Sequence, residues 1–118
     1  MGSDPFNVGV DPRTDMIYTA DDLGGTVSVV SGHSFTRVAT IRVGKGPVGI
    51  VADPRTNTIY AANSGSGTVS VITGHSNAVT GTVRVGKGPV GIAIDQQTHT
   101  LYVANSVSNT VSVLASCG

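Results

Sequence analysis

Apolar and polar positions alternate in short runs along the whole chain, and each run ends at a cluster of turn formers. Val48 to Ala52 is apolar throughout, with Gly-Pro before it and Asp-Pro after it. Thr58 to Ala62, Thr68 to Thr73 and Val79 to Val85 follow as further strand-like runs. Between them lie Asp53-Pro54-Arg55-Thr56-Asn57, Asn63-Ser64-Gly65-Ser66-Gly67, Gly74-His75-Ser76-Asn77 and Gly86-Lys87-Gly88-Pro89. Pro fixes φ, Gly and Asn accept positive φ, and Asp and Ser bond their own backbone, so these are turns with a mechanism. Short runs between turns predict an all-β chain. No segment shows a helical period, and the Val, Thr and Gly content opposes helix.

The pattern repeats. Val43-Gly44-Lys45-Gly46-Pro47-Val48-Gly49-Ile50 recurs letter for letter as Val85 through Ile92, an offset of 42. Asp11, Asp53 and Asp95 keep that step, as do Tyr18, Tyr60 and Tyr102, and His33 and His75. The repeats are therefore 5–46, 47–88 and a third, 89–114, that stops early; together they make one repeat domain over 5–118. Met1-Gly2-Ser3 reads as a start codon and an expression scar, so residues 1–4 are set aside and a longer parent protein stays open.

A four-stranded unit of roughly 40–45 residues has the size of a β-propeller blade. The strand faces agree. Val69-Ser70-Val71-Ile72 puts no charge on either face, as expected of a sheet covered on both sides by neighbours. The fold class expected is all-β, with four-stranded antiparallel propeller blades, two complete and a third with three strands.

Leu101-Tyr102-Val103-Ala104-Asn105, followed by Asn109-Thr110-Val111-Ser112-Val113, resembles the YVTN-type β-propeller repeat. Pro89-Val90-Gly91-Ile92-Ala93-Ile94-Asp95 resembles the opening of the same repeat. The second unit carries Tyr60-Ala61-Ala62-Asn63, and the first departs further with Tyr18-Thr19-Ala20-Asp21. The resemblance covers nearly the whole chain. It implies blade architecture and a prokaryotic cell-surface or secreted setting, and it transfers no chemistry.

Two and three-quarter blades do not close a ring of about four to eight. The end blades would expose apolar faces, which associate. Two copies supply six blades, so a head-to-tail homodimer closing a six-bladed ring is expected. The alternative is a fragment of a longer propeller.

Composition narrows the partners. Lys plus Arg equal Asp plus Glu at 7 each, with no block of like charge. No nucleic-acid partner is expected, since such binders carry a basic patch. Charged residues make up 12%, about half the usual share, which again places much of the surface against other surfaces. No apolar run approaches about 18 residues, so no membrane insertion is expected. The single cysteine, Cys117, forms neither an internal disulfide nor a metal cluster.

Antiparallel topology sends the D–A and B–C connections to one end of each blade. That face gathers Lys45 and Lys87 with the loops Asp21 to Gly25, Asn63 to Gly67 and Asn105 to Asn109. With strand A innermost, Lys45, Lys87, Asn63 and Asn105 become the candidate ligand-facing funnel residues, and the lysines would draw a small anionic ligand. The opposite face carries Arg13, Arg55, His33, His75 and Gln97. Gly81-x4-Gly86-Lys87 is no P-loop, because Gly88 stands where Ser or Thr should hold magnesium and a strand follows. His33 and His75 have no carboxylate beside them at metal-ligand spacing and read as surface turn residues. Asp11, Asp53 and Asp95 read as turn formers, and the serines lack a nucleophile elbow.

No catalytic residue, metal ligand or cofactor is expected. The leading expectation is a non-enzymatic scaffold or binding platform for a protein or small ligand. The alternatives are a fragment or engineered assembly of repeats with a purely structural role, and part of a lyase-like propeller enzyme with a funnel site.

Overall fold

The computed structural model describes residues 5–21, 23–95 and 97–115. They form β1 (Pro5–Asp11), β2 (Met16–Asp21), β3 (Thr26–Ser31), β4 (Arg37–Arg42), β5 (Pro47–Asp53), β6 (Thr58–Asn63), β7 (Thr68–Thr73), β8 (Ala78–Arg84), β9 (Pro89–Asp95), β10 (Thr100–Asn105) and β11 (Thr110–Ala115). Pairing is antiparallel between sequence neighbours, giving sheets β1-β2-β3-β4, β5-β6-β7-β8 and β9-β10-β11. These are propeller blades, two of four strands and one with three described strands. Residues 1–4 and Cys117 lie outside the described residues.

The strand ends shift slightly from expectation. Asp53 pairs with Thr58, so β5 runs to Asp53 and β6 starts at its expected place. β8 ends at Arg84, although the Val85 N–H still donates to the Gly67 carbonyl at 3.0 Å. The turns follow the chemistry expected of them. Oδ1 of Asp11, Asp53 and Asp95 accepts the amide two residues on, from Arg13 at 2.9 Å, Arg55 at 3.1 Å and Gln97 at 3.0 Å. Asp15, Asn57 and His99 close these turns with φ of 58°, 54° and 55°, a conformation that Asp, Asn and His tolerate better than branched residues.

The blades fan out from their first strands. β1 lies along β5 and β5 along β9, while the outer strands β4 and β8 scarcely meet. Gly49 makes the inner approach possible, since a Cβ there would stand 2.6 Å from the Val90 carbonyl oxygen.

Each blade has two apolar faces. One face of the first blade (Tyr18, Ala20, Val27, Val29, Ile41) packs against the facing side of the second (Ile50, Ala52, Ile59, Ala61, Ile72). The second blade then offers Tyr60, Val69 and Val71 to Ile92, Ile94, Leu101, Val103 and Leu114 of the third. The same repeat positions meet at both junctions, so the 42-residue step is also the packing rule.

Candidate functional site

The two lysines sit in the connectors that cross from one blade to the next. The Lys45 N–H donates to Ser66 Oγ at 2.6 Å, and its carbonyl accepts from the Gly65 N–H at 2.9 Å. At the next junction the Lys87 N–H donates to Ser108 Oγ at 3.1 Å, and its carbonyl accepts from the Val107 N–H at 3.1 Å. The backbone is thus fastened to the following blade while both lysine side chains stay exposed. Gly86 has to be glycine here, because a Cβ would lie 2.5 Å from Ser108 Oγ and 2.8 Å from Asn105 Cγ.

That close crossing decides the fate of Asn63 and Asn105. Both are sealed from solvent, at 0% and 2% exposure. Asn63 Nδ2 donates to Thr68 Oγ1 at 3.2 Å and Ser70 Oγ at 2.9 Å, and Asn105 repeats the pattern on Thr110 and Ser112. They fasten the B–C turn beneath the connector and do not face a funnel, which corrects the expectation for these two residues. The first blade uses Asp21 instead, whose carboxylate accepts from Thr19 at 3.1 Å, Thr26 at 3.1 Å and Ser28 at 2.6 Å. The Thr19 position is Ala61 and Val103 in the later blades, so Oδ1 of Asn63 and of Asn105 is buried without a partner.

Arginine joins each lysine. Arg42, Lys45, the intervening Val43 and Gly44, the Leu23–Gly25 loop and Ser66 line a groove of about 380 Å³. Arg84, Lys87, Val85, Gly86, Ser66, Gly67, Val107 and Ser108 line its counterpart, about 660 Å³. Neither lining includes a carboxylate. Among the described residues no side-chain partner is found for Arg42, Lys45, Arg84 or Lys87. The arginines were legible, since the identical stretch already starts at Arg42 and Arg84, one residue before Val43 and Val85.

The opposite face works differently. Arg13 Nη1 reaches the Pro54 carbonyl across the first junction at 3.5 Å. His33 Nε2 lies 3.4 Å from Asp15 Oδ2, both exposed, so the fold brings a carboxylate to His33 that the spacing did not reveal. His75 lines a shallow groove with Arg13, Arg55 and Asn57, and Gln97 donates its N–H to Asp95. At the second junction His99 Nδ1 stands 3.1 Å from Oδ2 of Asp53, which is fully buried. At the first junction Asn57 holds the His99 position, and Asp11 Oδ2 and Asn57 Oδ1 are buried without partners. Among the described residues no three His, Cys, Asp or Glu side chains converge. Burial, and secondarily the charge of Asp11, pushes the Tyr18 phenol above its usual 10.0.

No family model and no curated protein matches the chain. Solved structures do. The chain is similar to Kuenenia stuttgartiensis hydrazine synthase at TM-score 0.90 and 23% identity, over 96% of this chain and 33% of that one. It is similar to the β-propeller domain of Myceliophteria thermophila Cps50 (Swd1) at TM-score 0.83 and 12% identity, over 100% of this chain and 37% of that one. It is also similar to the WD40 β-propeller domain of Doa1 at TM-score 0.72 and 13% identity, over 84% and 32%. At these identities the likeness is one of fold. The chain spans about a third of the length of each structure.

Proposed function

We propose that this β-propeller module is a non-enzymatic binding platform, and that the basic grooves at its blade junctions receive a small anionic ligand. One observation carries the reading: Arg42 with Lys45, and Arg84 with Lys87, line equivalent grooves free of lining carboxylates. A guanidinium offers a planar fork of donors and a nearby ammonium adds a point charge, a pairing suited to phosphate or sulfate oxygens. The connector backbone is fixed by its bonds to Ser66 and Ser108, so the stems start from a set position. The YVTN-like character of the repeats, carried by Leu101 to Asn105 and Asn109 to Val113, belongs to the same reading, because it supplies blades and leaves recognition to the loops.

Pyrophosphate is the probe of choice, titrated calorimetrically into the chain and into a variant that disables both grooves, carrying Arg42→Ser, Lys45→Ser, Arg84→Ser and Lys87→Ser. Saturable binding that weakens with salt is expected. The variant should lose about tenfold or more in affinity, the scale of one charge-assisted hydrogen bond. Absence of saturable binding at millimolar probe, or equal affinity in the variant, would contradict the reading.

A second reading treats the chain as a structural building block that closes a propeller with another copy of itself. The bare face of the third blade favours it.

A further inference from the structure

The apolar faces at the two ends of the blade series use the same repeat positions as the internal ones but lack their cover. Val27 and Val69 are 0% exposed, and Val111, one repeat on, is 63% exposed. Tyr18 and Tyr60 are 1% and 7% exposed, and Tyr102 is 43%. At the other end Val8 and Val10 are 56% and 53% exposed, while their counterparts Ile50 and Ala52 are 7% and 8%. The third blade therefore ends in a bare Tyr102–Val111–Val113 face. The first blade begins with the kind of face that covers it elsewhere in the molecule.

We propose that a second copy of this chain seats Val8 and Val10 of its first blade on Tyr102, Val111 and Val113 of the third blade. This head-to-tail contact continues the internal junctions and is independent of any anionic ligand. The occupant follows from the structure itself. At both internal junctions this face is covered by aliphatic side chains from the next blade's first three strands, its first strand supplying Ile50 and Ala52 or Ile92 and Ile94. Among the described residues, an exposed surface of that composition lies around Val8 and Val10.

The closing contact also has a feature that the internal junctions lack. Asp53 Oδ2 meets His99, and one repeat earlier Asp11 stands opposite Asn57. One further step places Asp95 of one copy against Asp15 of the other. Asp95 Oδ1 is held by the Gln97 N–H, which leaves Oδ2 to point across, as Asp53 Oδ2 does. His33 lies beside Asp15, while Gln97 holds the position of Arg13, so the crossing arginine has no counterpart. Two facing carboxylates repel. The closing junction is thereby weaker than the internal ones.

Sedimentation equilibrium on paired variants tests both parts. Val8→Arg and Val113→Arg alter exposed side chains, so each should keep its native circular dichroism; Val10→Arg and Val111→Arg stand in if either fails to fold. Each variant alone should be monomeric. An equimolar mixture should recover a dimer, because it restores one contact with both valines intact. Asp15→His and Asp15→Asn copy the residues native at the other two turns and should raise the dimer fraction several-fold. A monomeric parent chain, a Val8→Arg variant that associates normally, or a mixture that stays monomeric would overturn the head-to-tail contact. Unchanged association in both Asp15 variants would overturn the carboxylate pair.

Discussion

The two internal junctions use the same repeat positions and reach different degrees of burial. Between the first two blades, Tyr18, Ile41, Ile50, Ile59 and Ile72 are all buried, with Val79 of β8 packed against them. Between the second and third, Tyr60, Val69, Leu101 and Val103 are buried, but Ile92, Ile94 and Leu114 are only partly so. The residue types are nearly interchangeable. The difference lies in cover: β8 flanks the first junction, whereas the described residues of the third blade supply three strands. Burial here belongs to a junction and its flanking strands more than to a residue type. The polar contacts run the other way, because the less buried junction holds the His99–Asp53 pair and the better buried one leaves Asp11 and Asn57 unmatched.

The largest expected effect separates the two apolar junctions. Ile59→Ala should cost about 3–4 kcal/mol and Leu101→Ala about 2 kcal/mol, since a better enclosed site collapses less around a cavity. Urea unfolding of both variants makes the comparison, and a larger loss for Leu101→Ala would reverse the ranking.

Removing the polar contact should act on the second junction alone. His99→Ala leaves Asp53 Oδ2 buried without its partner and should cost about 1–2 kcal/mol. Asn57→Ala, at the matching place of the first junction, breaks no contact to Asp11 and should cost less. Equal losses in thermal unfolding would show that the His99–Asp53 pair contributes nothing.

The smallest effect is confined to alkaline solution. Burial holds the Tyr18 phenol neutral in the fold and its ionisation above 10.0, so the unfolded chain gives up that proton first. Its contribution is full below about pH 10 and is lost as pH climbs through the folded value. Tyr18→Phe should flatten the alkaline decline in stability, and an unaltered decline would place its origin elsewhere.

Much of this architecture was legible because it is local. The 42-residue step, the Asp-led turns and the strand runs depend on near neighbours, and the strand limits moved by a residue or so. The site was less legible because it is made between blades. Asn63 and Asn105 read as funnel residues, yet a connector from the preceding blade crosses over them and buries them. His99 and Asp53 lie 46 residues apart and meet only because adjacent repeats stack; the substitution of His99 for Asn57 at matching turns was the available signal. Arg42 and Arg84 were readable as the first letters of the identical stretch. Their union with the lysines in one groove required the junction geometry.

The most direct test of the central claim, that each blade face is built to be covered by its successor, is the absolute mass of the parent chain by light scattering on a sizing column. A particle of twice 11.9 kDa is the predicted result. A monodisperse species of 11.9 kDa would show that the face of Tyr102, Val111 and Val113 is content in water, and would contradict it.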